Sequence, residues 1–317
     1  METKTQKFKI GDILKRYGII IVLILMIVFT ALKSEVFLRP SNLINILRQV
    51  SINGILAVGM TMVIISGGID LSVGATMGIA GIVLARTIHL GIVPSIICAL
   101  ASGVVVGLLN GTLVTKIGIP PFVATLGTNI AFRAVCVVLT GGYPLIPEAS
   151  AGLKWIGAGK VSGIPVPVII CSLAFAVFIF VMNKTRFGRY IYAVGSNEES
   201  SNYSGIKVPK TRITVYAIMG FLSALAGIVL VSRLYSTGPL TGNGYETDAI
   251  AAAVIGGTSM MGGEGRLART IIGVLILGVL SNLFNLLGVA ADYQGIFEGA
   301  IIILAVGADT YSKMKKK

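Results

Sequence analysis

Long apolar runs separated by short polar or glycine-rich breaks organise this chain. A helix needs roughly 20 apolar residues to cross the hydrocarbon of a bilayer. Ten runs reach or approach that length, beginning near Tyr17, Val50, Ser72, Ile92, Pro121, Ile164, Ile213, Ala249, Thr270 and Tyr293. Runs such as "YGIIIVLILMIVFTAL" are continuous, unlike barrel strands, which alternate over about ten residues. The pattern predicts an all-α polytopic membrane protein of about ten transmembrane helices. The third run (Ser72 to Ala85) and the eighth (Ala249 to Met261) are short and interrupted by glycine, the sequence form of broken or re-entrant helices.

Composition supports lipid as the solvent. With 55% hydrophobic and 12% charged residues and a mean hydropathy of +0.90, one water-soluble globule could not hide the apolar surface. The 40 glycines suit helices that pack closely through small residues, because hydrophobicity does not drive helix against helix in lipid. One membrane domain is expected over residues 17–309, between a segment 1–16 and a basic tail 310–317. "FTALKSEVF" offers no small-x-small cleavage site, so the first run reads as a retained helix.

Ten spans place both termini on one side, and the net charge of +13 tests which side. The inner loops and tails hold Lys4, Lys7, Lys9, Lys15, Arg16, Lys116, Lys184, Arg186, Arg189, Lys207, Lys210, Arg212, Arg266, Arg269, Lys313, Lys315, Lys316 and Lys317. The outer side keeps Lys33, Arg39, Arg48, Arg86, Lys154, Lys160 and Arg233. The positive-inside rule therefore puts both termini, and the loop 184–212, in the cytoplasm. These cations cluster at the termini and between spans, so topology explains them and no nucleic acid is expected.

That loop contains the one extended hydrophilic stretch, "VGSNEESSNYSGIKVPKTR". Ser196 with Glu199 three residues later is a capping-box pattern. Glu198 and Glu199 complement the amino end of a helix, Gly205 suits its carboxyl-terminal cap and Pro209 follows. A helix over Asn197 to Ser204, of about two turns, is too short to persist alone in water. It is either a solvated element against the protein's own loops or a docking element for a cytoplasmic protein, through Ser196, Asn197, Glu198, Glu199, Ser200, Tyr203 and Gly205.

Two glycine-rich breaks supply the remaining candidate chemistry. "SGGIDLSVGATMG" carries Gly67, Gly68, Asp70, Ser72 and Gly74; "IGGTSMMGGEGR" carries Gly256, Gly257, Thr258, Gly262 and Gly263. A carboxylate at a membrane break is costly, so Asp70 either caps the third helix with Ser72 or serves the passage of substrate. Arg133 and Glu298 lie inside spans, each about 10 Å below the outer surface at the helical rise, and are expected to form an ion pair rather than a proton relay.

Enzymatic sites find no support. Cys98, Cys136 and Cys171 are unpaired, His89 is the sole histidine, and no metal site, triad or HExxH pattern is present. "GLKWIGAGKVS" lacks the first glycine and the Ser/Thr of a phosphate-binding loop, so no ATPase site and no cofactor are expected in this chain.

"AVGMTMVIISGGIDLSVG", "TRFGRYIYAVGSNEESSNYSGIKV", "GYETDAIAAAVIGGTSMMGGEGR" and "SNLFNLLGV" together resemble the ribose-type monosaccharide permeases of bacterial ATP-binding-cassette importers. The resemblance implies a bacterial inner-membrane permease paired with a second copy or paralogue. It further implies ATPase subunits that use ATP and magnesium, and an extracytoplasmic sugar-binding protein. It assigns "NEESSNYSGI" the role of coupling helix. The chain departs from the family pattern at Ser200, Ser201, Asn202 and Tyr203, at Glu264 and Glu298, and in the middle of the outer loop "GGYPLIPEASAGLKWIGAG", the surface expected to choose the binding protein. Rival readings are the same machine carrying a polyol, a sugar-derived signal or an amino acid, and an ion-coupled secondary transporter.

Overall fold

The computed structural model describes residues 10–290 and, within 293–307, all but 298, 302, 305 and 306; side chains are described from residue 18. In order, the helices are α1 (Ile10–Lys33), α2 (Pro40–Ile65), α3 (Val73–Thr87), α4 (Ile92–Thr112), α5 (Pro121–Thr140), α6 (Ala151–Ala158), α7 (Val166–Lys184), α8 (Arg186–Ser196), α9 (Glu198–Tyr203), α10 (Val208–Leu234), α11 (Tyr245–Ile255) and α12 (Leu267–Leu286). Proline lies in the first turn of α2, α5, α7 and α10, where its missing N–H costs no helical bond.

Among the described residues, seven helices are long and apolar enough to cross a membrane: Pro40–Ile65, Val73–Leu90, Ile92–Ile117, Pro121–Thr140, Val166–Lys184, Val208–Leu234 and Leu267–Leu286. α1 contributes a shorter apolar stretch, Gly18–Lys33. The run expected from Ala249 is the short helix α11, which ends in turns at Gly256. The tenth run, from Tyr293, is described only in part. The chain is thus mostly helical, with both expected breaks in place. The only sheet among the described residues is a hairpin of Lys160–Val161 and Ile164–Pro165. Its Ser162-Gly163 turn has positive φ at both residues, the type I′ geometry that matches strand twist.

α2 forms the centre of the bundle, packed by α7, α10, α11 and α12. α10 also packs along α3 and, most extensively, along α4. Glycine explains that contact. A β-carbon on Gly103 would lie 2.3 Å from the Gly220 carbonyl oxygen, and one on Gly107 would lie 2.2 Å from the Tyr216 carbonyl oxygen. Gly103, Gly107 and Gly111 recur every fourth residue of α4 and so form one stripe, letting two backbones touch where lipid offers no hydrophobic drive.

The helices gather their loops at two ends. The basic end collects α8, α9, the starts of α5, α10 and α12, and both glycine-rich breaks. At the far end the loop after α5 is tied to the segment after α10: Leu145 and Thr237 exchange backbone bonds of 2.7 and 2.9 Å. The Tyr235 hydroxyl accepts from Ser150 N at 2.8 Å and donates to the Glu148 carbonyl at 3.2 Å.

The α4–α10 seam yields a direct stability test. Gly220→Ala places a β-carbon 2.0 Å from the Gly103 carbonyl oxygen and is expected to destabilise by about 1–3 kcal/mol. Gly127→Ala, with nothing within 4 Å, is expected to leave thermal unfolding in detergent unchanged or raised. Equal melting temperatures for the two variants would contradict close packing of this seam.

Candidate functional site

The hydrophilic stretch folds as a helix, with one correction to its start. α9 spans Glu198–Tyr203, and its amino-terminal cap is Asn197, whose Oδ1 accepts from Ser200 N at 2.8 Å. Ser196 is the last residue of α8, so the expected Ser196–Glu199 capping box does not form. The reason is the extended backbone at Asn197 (φ −160°, ψ 111°), which interrupts the two helices and turns the Asn197 amide onto the first turn. The carboxyl end is as expected. Gly205 has φ +80°, its N–H bonds Asn202 O at 3.0 Å and Ile206 N bonds Ser201 O at 3.0 Å, a Schellman closure. Glu198, Glu199, Ser200 and Tyr203 face outward, and Tyr203 is 84% exposed, its hydroxyl 3.4 Å from Glu199 Oε1.

This segment is fixed to both breaks. A β-carbon on Gly195 would lie 1.7 Å from the Ile65 carbonyl oxygen and 2.7 Å from Gly263 N. That same Ile65 carbonyl accepts from Gly263 N at 2.8 Å. Gly262 lies against Gly67 and the Gly195 carbonyl, and Gly263 lies against Ser196. Three stretches of backbone therefore meet without an intervening side chain: the end of α2 with the first break, the second break, and the α8–α9 corner. Two side chains reinforce the meeting. Arg212 on α10 donates to Glu198 Oε2 at 2.7 Å and to the Ser66 carbonyl at 3.3 Å. The Tyr192 hydroxyl on α8 donates to the Gly265 carbonyl at 2.9 Å. Burial pushes that phenol above its ordinary pKa, against a smaller lowering by Arg266, so it remains a donor throughout the neutral range.

The other break residues divide between two neighbourhoods. Gly68 lies against the Tyr216 hydroxyl, which donates to the Ile69 carbonyl at 3.1 Å. Asp70 is 2% exposed, and its Oδ1 accepts from Ser72 N at 2.9 Å and Ser72 Oγ at 2.7 Å; Asn110 of α4 donates to Ser72 Oγ at 2.7 Å. The carboxylate thus orders the turn into α3 and is locked by a buried polar chain. Gly256 lies against the backbone of Thr270 on α12, Gly257 faces Arg269, and Thr258 is buried beside Gly265.

Gly74 belongs to a different cluster, farther into the bundle. A β-carbon there would lie 2.2 Å from the Gly242 carbonyl oxygen, 2.3 Å from Glu246 Oε2 and 2.8 Å from Arg133 Nη2. Arg133 Nη1 donates to the Thr241 carbonyl at 2.6 Å and the Pro239 carbonyl at 3.2 Å. The expected partner, Glu298, lies outside the described residues. Among those described, Glu246 in the first turn of α11 is the carboxylate that acts on Arg133. Neither Arg133 Nη2 nor Glu246 Oε2 makes a hydrogen bond there, and both atoms are inaccessible.

Sequence reasoning passed over Gly195, Asn110 and Glu246. Asn110 had a signal, a lone amide inside an apolar run. Glu246 had one as well, since "GYETD" puts acids at the start of an apolar helix. Gly195 had none, because its role is the approach of residues distant in sequence. Among the described residues, no three His, Cys, Asp or Glu side chains group as a metal site.

Residues 42–306 match the family described as branched-chain amino acid transport system / permease component. The ribose import permease protein of Bacillus subtilis (strain 168) is 43% identical over 98% of this chain and 97% of its own length. That of Haemophilus influenzae is 44% identical over 100% and 99%. The D-allose transport system permease protein of Escherichia coli (strain K12) is 39% identical over 93% and 91%.

The charge cluster at Gly74 makes a measurable prediction. Arg133→Gln alone removes the positive charge that acts on the half-buried Glu246, a loss of about 1 kcal/mol. Adding Glu246→Gln is expected to recover part of it. Thermal unfolding of the two single variants and the double variant measures the coupling; additivity within about 0.5 kcal/mol would contradict an interaction.

Proposed function

Because this chain belongs to the branched-chain amino acid transport system / permease component family, we propose that it is the transmembrane permease subunit of a bacterial ATP-binding-cassette importer carrying a monosaccharide, with ribose the foremost candidate. Relatives named for ribose and allose import, alike over nearly the whole chain, favour a sugar over an amino acid or a polyol. The permease would lie in the inner membrane with about ten helices and both termini cytoplasmic, the basic end facing the cytoplasm. It would pair with a second copy or a paralogue, with ATPase subunits that use ATP and magnesium, and with an extracytoplasmic sugar-binding protein. The chain itself is no enzyme in this reading.

The observation that carries the mechanism is the meeting of the α8–α9 corner with both breaks through Gly195, Ile65 and Gly263. Closure of the ATPases would push on α9 through its exposed face, Glu199, Ser200 and Tyr203. Backbone contact would carry that push to the ends of α2 and α11, which the breaks terminate. The helices could then rock along glycine seams such as α4–α10, opening the path first to the binding protein and, after hydrolysis, to the cytoplasm. Asp70, locked to Ser72 and Asn110, would hold the turn into α3 rigid during this movement.

Reconstitution in vesicles tests the proposal. Sugar uptake is expected only with ATP, the ATPase and the binding protein together; uptake by this chain alone under an ion gradient would establish a secondary transporter instead. In the full assembly, Gly205→Ala imposes a left-handed conformation on a residue with a β-carbon, at about 1–2 kcal/mol. This variant and, separately, Glu199→Ala are each expected to lower ATP-driven uptake about tenfold without changing membrane insertion. Unchanged uptake in both variants would remove α9 from the coupling path.

A further inference from the structure

A cavity of about 580 Å³ opens at the basic end between the amino ends of α8 and α10. Arg186, Phe187 and Tyr190 line it from α8, and Ile206, Lys207 and Lys210 line it from the link to α10 and that helix's first turn. No carboxylate lines it. Among the described residues, the salt bridge at this end joins Arg212 to Glu198 and leaves these three cations uncompensated. Both helices also begin here, so their positive ends add to the same potential. An anion is the complement of such a space.

The setting narrows the anion. The first turns of α10 read "VPKTR", and the apolar run starts at Ile213. α7 ends at Lys184, immediately before α8, with Phe180 exposed one turn above that end. The cavity therefore lies where the spans pass from polar loop to apolar helix, the depth of lipid headgroups. Its walls are mixed in the same sense: Phe187 and Ile206 are half-buried and Tyr190 is 40% exposed, an apolar flank beside three cations.

We propose that this cavity binds the phosphate of an anionic membrane lipid from the leaflet at the basic end. Arg186, Lys207 and Lys210 take the phosphate, and Phe187, Tyr190 and Ile206 lie along the glycerol and the first acyl carbons. A docking protein is the poorer match, because the space is concave and the projecting side chains at this end, Tyr203 and Met261, are not among its walls. Gly205 borders the cavity, so an occupied site would brace the carboxyl-terminal cap of α9. The lipid site is independent of the import reading.

The test uses the full chain in phosphatidylcholine nanodiscs titrated with phosphatidylglycerol, read by native mass spectrometry and by melting temperature. Wild type is expected to retain phosphatidylglycerol in preference to phosphatidylcholine and to melt higher with it. Arg186→Gln/Lys210→Gln is expected to bind it about 30-fold more weakly, with its melting temperature in phosphatidylcholine alone unchanged. Lys184→Gln/Arg189→Gln removes equal charge from the same end without touching the cavity and is expected to bind as wild type does. Should the cavity double variant fail to fold, Lys207→Gln alone is expected to weaken binding about fivefold. Equal losses in both double variants would reduce the effect to diffuse surface charge and overturn the site. Equal protection by inorganic phosphate would make it a free-anion site, and loss of ATPase association with lipid binding intact would make it a protein contact; either overturns the proposal.

Discussion

The hydrogen bond from Gly263 N to the Ile65 carbonyl, 2.8 Å long and covered by Gly195, is the contact on which the basic end depends. It joins the end of the central helix α2 to the second glycine-rich break, and the α8–α9 corner rests directly on it. No side chain intervenes, so there is no rotamer to absorb a displacement. Any residue larger than glycine at 195 would meet the Ile65 carbonyl oxygen at 1.7 Å, well inside van der Waals contact. The breaks are therefore fixed places where three backbones cross, rather than slack between helices. Arg212 and Tyr192 add side-chain bonds to the crossing, one through Ser66 and Glu198, the other through Gly265.

Elsewhere in the bundle glycine brings backbones equally close, but among the described residues no hydrogen bond crosses from α4 to α10. The α4–α10 seam of Gly103, Gly107 and Gly220 is smooth, and smooth seams can slide because no interlocking knob has to be withdrawn. The half-buried Arg133–Glu246 cluster at Gly74 has the opposite character. It clamps the carbonyls of Pro239 and Thr241 to α5, fixing the loop between α10 and α11 where charge is costly to leave uncompensated. The import mechanism we propose needs all three: a rigid crossing at the basic end, a sliding seam and a clamp that keeps the half-length α11 in register.

Much of this was legible in the sequence. Apolar run length located the seven long helices, because the bilayer sets one scale for all of them, while the run from Ala249 proved to be the short helix α11. Glycine clusters located both breaks, and Gly205 located the end of α9, since only local backbone geometry was in question. What failed was either tertiary or a matter of register. Ser196 looked like a cap because Glu199 follows at the right spacing, yet the corner at Asn197 hands the role to the next residue. The expected partner of Arg133, Glu298, lies outside the described residues; what went unnoticed is the approach of Glu246 from the first turn of α11. Gly195 and Asn110 acquire meaning only through residues distant in the chain. The link between α6 and α7 offered no sign of its Ser162-Gly163 hairpin beyond the glycine itself.

The central claim is that the α8–α9 corner and the second break move as one body during transport. Spin labels at Tyr203 and Met261, 84% and 75% exposed, report on it when one labelled chain is diluted among unlabelled copies in the full ATP-driven assembly. The account predicts that the 203–261 distance stays constant between the ATP-bound and nucleotide-free states while the distance from Tyr203 to a label at Tyr143, at the far end, changes. A 203–261 distance that shifts with nucleotide would contradict it.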